Sequence, residues 1–346
     1  MAAYKPGISS MSLGRAWVHD LDYKIEQACR QGFKGIELFY EDLEYVAKGL
    51  PGGLTDGNRI EAAHQIHKMC KDPFRNRNID IIGLQPFMHY EGLRDRTQHA
   101  SRIEKLKLWF QLIKILDTDI IQIPSNFLKS EEITDDFDTI VKDLREVADL
   151  GLQETPQVRF AYENLCWGTY VDTWSAAWKI IAAVDRPNFG MCLDTFNIAG
   201  REWADPASPD GKVPNADAIL KASLVKMRKT IDIKKIFYVQ VVDAERLRNA
   251  LTPEHAFHVD GQPPRMSWSR NARLFAFEEP GYLPILDVLH AITDEDGLKF
   301  KGWISMELFS RTMADPKKEV PRQHAERGMR SWKKLVEVMG WKKTSG

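Results

Sequence analysis

The feature that most constrains the fold is an alternation of short apolar runs with longer segments of helical periodicity. Between the first two runs, Leu21, Ile25 and Ala28 recur at the spacing of an amphipathic helix. Strands separated by helices pair in parallel, and eight of them can close into a barrel. We therefore predict an α/β fold, a (β/α)8 TIM barrel. The predicted strands cover residues 7–13, 35–40, 79–86, 120–124, 158–165, 189–196, 236–242 and 302–309.

The pattern inside the runs favours a closed barrel. In the fifth run, Phe160 and Tyr162 alternate with Ala161 and Glu163. Small or polar residues on one face and large apolar residues on the other fit a tight lumen whose outer wall is covered by helices. The alternative is a doubly wound open sheet, but no glycine-rich phosphate-binding turn follows the first run.

The chain is predicted to be one domain, residues 1–346, with two long irregular stretches. These stretches, about 199–214 and 244–282, follow the sixth and seventh runs. Loops of this length in a compact domain are usually functional. Both leave from the carboxyl ends of strands, so we expect them to lie over that face of the barrel.

Composition excludes several classes of partner. The formal net charge is −1 and the pI is near 6.8, which gives no electrostatic reason to expect nucleic acid or an anionic membrane. No run approaches the ~20 apolar residues of a membrane span, and no apolar signal stretch opens the sequence. We therefore expect a cytoplasmic protein without a membrane partner. The sequence does not indicate its oligomeric state.

Four of the predicted strands end on a side chain that can bind a hard metal ion. A carboxylate or amide at the end of one apolar run is more often an ion-pair partner or a helix cap. Four of them at the same strand end and on the same face indicate one shared site. An oxygen-only ligand set favours Mg²⁺ or Mn²⁺, with Co²⁺ as a substitute, over thiolate-bound zinc. The four residues are Glu163, Asp194, Gln240 and Glu307.

Neighbouring residues form a candidate substrate shell. Gln85 and His89 follow the third run and are expected near the mouth of the barrel. Glu41 follows the second run, where it either joins the site or caps a helix. An arginine in the stretch 244–282 could hold a carboxylate through two parallel hydrogen bonds, although Arg270 could equally be a surface residue.

Four longer motifs are specific enough to compare with known families. They are Leu84-Gln-Pro-Phe-Met-His-Tyr-Glu-Gly92, Tyr162-Glu-Asn-Leu-Cys-Trp-Gly168, Cys192-Leu-Asp-Thr-Phe-Asn197 and Ser267-Trp-Ser-Arg-Asn-Ala-Arg-Leu-Phe275. They resemble the fungal quinate-pathway 3-dehydroshikimate dehydratases of the xylose-isomerase-like barrel superfamily. The likeness runs from about Ile8 to Trp341. Its Asp-Thr-Phe stretch is generic to the superfamily, whereas the first and last motifs are far more specific.

The resemblance implies a function and a set of site residues. The implied reaction is the metal-dependent dehydration of 3-dehydroshikimate, a small anionic substrate, to protocatechuate. The resemblance implies the same four metal ligands that the strand ends indicate. It also implies Ser269 and Arg273 as substrate contacts, and we add Gln85 and Asn197 to that set.

The sequence departs from bacterial relatives at two positions, and these departures leave the general base open. Those relatives have a histidine three residues after the aspartate of the sixth strand, where this chain has Asn197. They have another shortly after the glutamate of the fifth strand, where this chain reads Trp167-Gly-Thr-Tyr170. His89 is our first candidate for the base and Tyr170 is the second.

Three other functions are possible on such a barrel, and the sequence fits each of them less well than it fits a dehydratase. A sugar isomerase or epimerase on the same barrel would need acid and base groups on both faces of the sugar. It often carries a histidine on the seventh strand, where this chain has Gln240. A DNA-repair endonuclease would need a histidine-rich zinc cluster and a basic groove. A ligand sensor without catalytic activity would have no chemical reason to keep four metal ligands.

Overall fold

A closed barrel of eight parallel strands forms the centre of the protein. The structure is a computed structural model and describes residues 4–341. Each strand pairs with its neighbours in the sequence, and the first closes on the last with Tyr4 opposite Gly302. The predicted TIM barrel is therefore confirmed. The strands are β1 Tyr4–Ser9, β2 Gly35–Phe39, β3 Asp80–Gln85, β4 Ile120–Pro124, β5 Arg159–Glu163, β6 Phe189–Asp194, β7 Ile236–Val241 and β8 Gly302–Met306.

Helices cover the outside of the barrel and bury its apolar outer face. Within residues 4–341, no helix combines the length and the apolar character that crossing a bilayer requires. The helices are α1 Leu21–Gln31, α2 Tyr40–Lys48, α3 Asp56–Cys70, α4 Arg96–Ile115, α5 Phe137–Gln153, α6 Trp174–Val184, α7 Thr195–Glu202, α8 Ala216–Thr230, α9 Pro264–Ala272, α10 Ile285–Thr293 and α11 Val320–Val338.

The first strand lies earlier in the chain than the sequence pattern predicted. It was expected at 7–13, but β1 ends at Ser9 and Met11–Leu13 forms a 3₁₀ turn. The turn begins where the Ser10 hydroxyl donates to Asp42 Oδ2 at 2.6 Å and accepts from the Phe39 backbone N–H. These hydrogen bonds replace those of the sheet, so an apolar run that continues past Ser9 leaves the barrel.

A small cluster of side chains inside the barrel supports the site from below. It consists of Ile82, Ile120, Ala161, Cys192 and Tyr238, all buried. Ala161, Cys192 and Tyr238 each lie two residues before a predicted metal ligand, so they share its inward face. The lumen is therefore filled by side chains rather than open, and the polar side chains at the strand ends lie directly above this packed layer.

The two stretches that were predicted to be irregular differ in the structure. Residues 203–214 have no regular helix or strand after α7 ends at Glu202, whereas 244–282 contains α9. A short antiparallel pair, Asp243–Ala244 with Arg273–Leu274, returns the second stretch to the barrel just after β7. This pairing holds Arg273 beside the carboxyl ends of the strands.

Candidate active site

Each barrel strand contributes a buried polar side chain within two residues of its carboxyl end. Parallel strands place these ends on one face, and in barrels of this class that face carries catalysis. Each of these side chains is 4% exposed or less. The four predicted metal ligands and Gln85 are among them. We call the set the polar ring: Ser9, Glu37, Gln85, Gln122, Glu163, Asp194, Gln240 and Glu307.

The ring concentrates negative charge in a buried volume. It holds four carboxylates, and within residues 4–341 the guanidinium that forms ion pairs with them is that of Arg273, which is also buried and contacts Asp194 and Glu307. Burial raises the pKa of Glu37 to about 7 and that of Glu307 to about 8. Burial, followed by the negative charges of Asp194 and Glu307, raises the pKa of Glu163 well above its usual range. Such carboxylates favour any additional positive charge.

Amide side chains cross-link the carboxylates of the ring. The Gln240 amide donates to Glu37 at 2.9 Å and to Glu307 at 3.1 Å, and the Gln85 amide donates to Glu37 at 2.9 Å. The Gln122 amide donates to Glu163. These hydrogen bonds use amide N–H groups, and in the part of the chain that the structure describes they leave Gln122 Oε1 and Gln240 Oε1 without a partner.

Unpaired acceptor atoms indicate that the ring suits a cation. Among residues 4–341, Glu37 Oε1, Gln122 Oε1 and Gln240 Oε1 are buried without a hydrogen-bond partner. Each is an oxygen that can only accept, and burying such an atom unpaired costs about 1–3 kcal/mol. Unpaired oxygens beside excess carboxylates match a hard divalent cation. The residues present therefore fit the metal that the sequence predicts.

Asn197 lies inside the ring and is fully buried. Its amide nitrogen donates to Glu163 Oε1 at 2.8 Å and to Asp194 Oδ2 at 2.7 Å, while its oxygen accepts from the Cys166 backbone N–H. The side chain therefore fixes the spacing of two predicted metal ligands. Its predicted contact with substrate stays a prediction.

Arg273 lies against the ring rather than at its outer edge. Its Nη1 is 3.0 Å from Asp194 Oδ2 and 2.5 Å from Glu307 Oε2, and its Nε donates to Ser269 Oγ at 2.9 Å. The carboxylates of Asp194 and Glu307 outweigh its burial and raise its pKa. In the described part of the chain, Nη2 has no hydrogen-bond partner, so its two N–H groups can bind a ligand.

A second group of potential ligands lies on the outside of the barrel. His99, Asp143 and Glu146, on α4 and α5, have ligand atoms within 4.8 Å of one another. Both oxygens of Asp143 are already paired, at 2.7 Å and 3.1 Å to Arg96 and at 2.9 Å to the Gly92 N–H. The charge of Asp143 is therefore already balanced, in contrast to the polar ring.

The two candidate bases differ in their surroundings. His89 is half-buried in the loop after β3, with Nδ1 3.4 Å from Asn126 Oδ1, and burial lowers its pKa. Its ring packs edge-on against Phe127. The Tyr170 hydroxyl donates to the Ser130 carbonyl at 3.5 Å. Of the two, His89 has a side chain whose neutral form is favoured by its environment.

Three members of the ring, Ser9, Glu37 and Gln122, were not predicted from the sequence. Glu41, the carboxylate considered at the second strand, lies instead in the first turn of α2. The alternation of side chains along β2 identifies Glu37 as inward-facing. It lies two residues after Gly35, whose Cα packs closely against the side chains of Ile82 and Trp303, and residues two apart in a strand share a face. Gln122 lies two residues before the end of β4, so a search for strand-terminal ligands passes over it.

Comparison with known proteins places the chain among related barrels. The family model described as xylose isomerase-like TIM barrel matches residues 25–335. A 3-dehydroshikimate dehydratase of Neurospora crassa is 51% identical over 96% of this chain and 94% of its own length. A 3-dehydroshikimate dehydratase of Pseudomonas putida is 28% identical over 90% of this chain, which spans only 39% of that relative.

Solved structures share the fold at lower identity. The IolI protein, described with a binding zinc atom, is 17% identical and superimposes with a TM-score of 0.67. The match covers 98% of this chain and 100% of that protein. Identity this low supports the shared barrel and carries no statement about individual site residues.

Proposed function

This chain belongs to the xylose isomerase-like TIM barrel family, and we propose that within the family it is a 3-dehydroshikimate dehydratase. The observation that carries the proposal is 51% identity to the Neurospora enzyme over nearly the whole of both chains. The enzyme is a lyase that removes water from 3-dehydroshikimate and releases protocatechuate. The buried guanidinium of Arg273 at the barrel mouth suits the carboxylate of a small anionic substrate, and a cation in the ring would offset the negative charge of the ring carboxylates.

We assign a divalent cation, Mg²⁺ or Mn²⁺ with Co²⁺ as a substitute, to the polar ring. Support comes from the unpaired ring oxygens and from the excess of carboxylates over guanidinium. When bound, a divalent cation at these residues would supply Lewis-acid stabilisation of the negative charge that develops on substrate oxygens. The residues that would hold it are Glu163, Asp194, Gln240 and Glu307, and Glu37 lies close enough to Gln240 to contribute to the same field.

The chain's own residues move the proton and orient the ring. The substrate has a ring ketone, hydroxyls on the next two carbons and a carboxylate opposite. His89 is assigned to remove the proton alpha to the ketone, since burial favours its neutral, proton-accepting form. The resulting electron pair expels the beta hydroxyl, which leaves as water once it is protonated. Tautomerisation then gives the aromatic product.

Arg273 is assigned to the substrate carboxylate through the free N–H groups of Nη2. Ser269 holds its Nε, and the ring of Phe196 lies 4.2 Å from its guanidinium carbon, so the side chain is preorganised. Gln85 and Asn197 remain predicted substrate contacts. Both already donate to ring carboxylates, so they also set the shape of the site.

Replacing Arg273 by Ala is expected to lower kcat/KM by about 10- to 100-fold, mainly through KM, as expected when a charge-assisted hydrogen bond is lost. Steady-state kinetics would measure this. The matched control is Arg270→Ala, because Arg270 lies on the same segment but is exposed and donates to Gln262. Normal kinetics for the Arg273 variant with impaired kinetics for the Arg270 variant would reverse the assignment.

The direct test of function is to incubate metal-loaded protein with 3-dehydroshikimate and follow the absorbance of the aromatic product. Exhaustive chelation should abolish turnover, and Mg²⁺, Mn²⁺ or Co²⁺ should restore it, because the ring oxygens suit hard cations. Ketohexoses serve as control substrates for an epimerase. Turnover by protein that contains no detectable metal would contradict the assigned cation. Epimerisation of a sugar without dehydration would contradict the assigned reaction.

A further inference from the structure

Three loops of the barrel mouth meet at Asn126, the second residue after β4. Its backbone N–H donates to Glu91 Oε1 in the loop after β3 at 2.6 Å, and its carbonyl accepts from Thr169 in the loop after β5 at 3.0 Å. Asn126 is 4% exposed. Its side chain faces the imidazole of His89. Asn126 is therefore held rigidly beside the residue assigned as the general base.

The orientation of the Asn126 amide is determined by its other two contacts. The amide nitrogen donates to the Glu91 carbonyl oxygen at 2.9 Å. The Leu128 backbone N–H, which can only donate, lies 3.1 Å from the other end of the amide. That end must therefore be the oxygen. In the rotated amide, the NH₂ group would face the Leu128 N–H and the oxygen would face the Glu91 carbonyl, and neither pair can form a hydrogen bond. Oδ1 is also the atom 3.4 Å from His89 Nδ1.

Glu91 anchors this arrangement from the barrel wall. It is buried, and its Oε1 accepts both from the Asn126 N–H and from the Tyr162 hydroxyl at 2.9 Å. Tyr162 belongs to β5, so the His89 loop is tied to a strand that also carries a ring carboxylate. The position of Asn126 Oδ1 is thus set by the barrel itself.

We propose that Asn126 is a positioning residue that holds neutral His89 with its proton on Nδ1 and leaves Nε2 as the proton acceptor. An acceptor oxygen opposite Nδ1 stabilises the tautomer that carries hydrogen there. Among residues 4–341, Nε2 has no hydrogen-bond partner, so its lone pair is free for substrate. The inference rests on the proposed role of His89 as the base and adds the residue that selects its reactive nitrogen.

Charged groups around His89 are compatible with a neutral imidazole. Arg102 and Lys105 disfavour the charged form, and Glu132 favours it. Arg102 also donates to the His89 carbonyl at 3.3 Å, which holds the backbone of this residue in its left-handed conformation, φ 59°. Burial is the largest effect, and it lowers the His89 pKa.

The test uses metal-loaded, ¹⁵N-histidine-labelled protein and long-range ¹H–¹⁵N correlation spectra, with the His89 signals assigned by their loss in His89→Gln. The wild type should show neutral His89 protonated on Nδ1. Asn126→Ala should shift His89 toward protonation on Nε2 and lower kcat by about tenfold or more, with KM little changed. Tyr162→Phe is the control, because it removes an anchor of Glu91 and keeps Asn126 Oδ1.

Asn126→Asp separates positioning from simple loss of structure. It keeps an oxygen opposite Nδ1 and adds a negative charge, so the Nδ1–H tautomer should persist. The acidic limb of the kcat/KM profile should then move to higher pH by about one unit or more. His89 protonated on Nε2 in the wild type, or a tautomer unchanged in Asn126→Ala, would overturn the inference. If Asn126→Ala changes the His89 tautomer but leaves kcat unchanged, Asn126 does position His89, and His89 is not the general base.

Discussion

Glu163→Gln is expected to lower turnover by roughly three orders of magnitude, equivalent to about 4 kcal/mol of lost transition-state stabilisation. The substitution keeps the size of the side chain and removes one of the ring's negative charges. Cation affinity should fall by about 100-fold or more. Loss of a residue that only hydrogen-bonds to a metal ligand costs about 10- to 100-fold in affinity, and loss of a ligand itself should cost more. Isothermal titration with Mn²⁺ and steady-state kinetics would measure the two effects.

The structure explains why this substitution should spare the fold. Glu163 accepts from Asn197 through Oε1 and from Gln122 through Oε2. A glutamine can keep its oxygen toward Asn197, whose amide is fixed by the Cys166 N–H. Its new N–H₂ group then faces Gln122, whose unpaired Oε1 can rotate to accept from it. A glutamine at position 163 can therefore keep a hydrogen bond to each of the two side chains that contact Glu163.

Stability of the metal-free protein should stay level or rise in this variant, and the gain should grow with pH. The folded-state pKa of Glu163 lies well above its usual value because of burial and the charges of Asp194 and Glu307. The native state therefore binds the proton more tightly than the unfolded chain, and stability falls as pH rises above the unfolded value of about 4.3. Thermal unfolding at pH 5.5 and pH 8 should show the larger difference from wild type at pH 8.

Glu146→Gln is the matched control and also tests the competing group of ligands. Glu146 belongs to the cluster with His99 and Asp143 on the outer surface. If the polar ring holds the catalytic cation, this variant should keep the turnover and the metal stoichiometry of the wild type. Loss of metal in Glu146→Gln together with normal metal binding in Glu163→Gln would move the site to the outer surface.

The fold was accessible from the sequence because its main signals are local. Alternation inside the fifth run identified Ala161 and Glu163 as inward-facing, and the structure places both in the lumen. The errors lie where the chain leaves regular structure. β1 ends early because the Ser10 hydroxyl bonds to residues of the next βα unit, and sequence periodicity carries no information about such distant partners.

Only part of the site could be predicted from the sequence, because some of its residues are defined by contacts with distant parts of the chain. A carboxylate that ends an apolar run is visible in the sequence, and four predicted ligands lie in the ring. Gln122 is not terminal in its strand, and its role depends on a hydrogen bond to a neighbouring strand. The contact of Arg273 with Asp194 and Glu307 joins residues that are distant in the sequence. Such a contact follows from the return of the 244–282 segment to the barrel, which no local pattern encodes.

Removal of the general base should produce the second large effect. His89→Gln is expected to lower kcat by about 10²- to 10⁴-fold, the range for loss of a positioned base, with little change in KM. Gln retains a hydrogen-bonding side chain of similar length but cannot accept the substrate proton. Cation affinity should be unchanged, because the His89 side chain contacts Asn126 and Phe127, and both of these residues lie outside the ring. This separates the variant from Glu163→Gln, which loses metal and rate together.

Tyr170→Phe decides between the two candidate bases, because it removes only the hydroxyl. In the structure that hydroxyl donates to the Ser130 carbonyl at 3.5 Å, and the side chain is only partly buried. A neutral imidazole has a ring nitrogen that can accept a proton directly, whereas the Tyr170 hydroxyl already donates its proton to a backbone carbonyl. We therefore expect the larger loss of kcat in the His89 variant. The reverse result, with metal bound in both proteins, would assign the proton transfer to Tyr170.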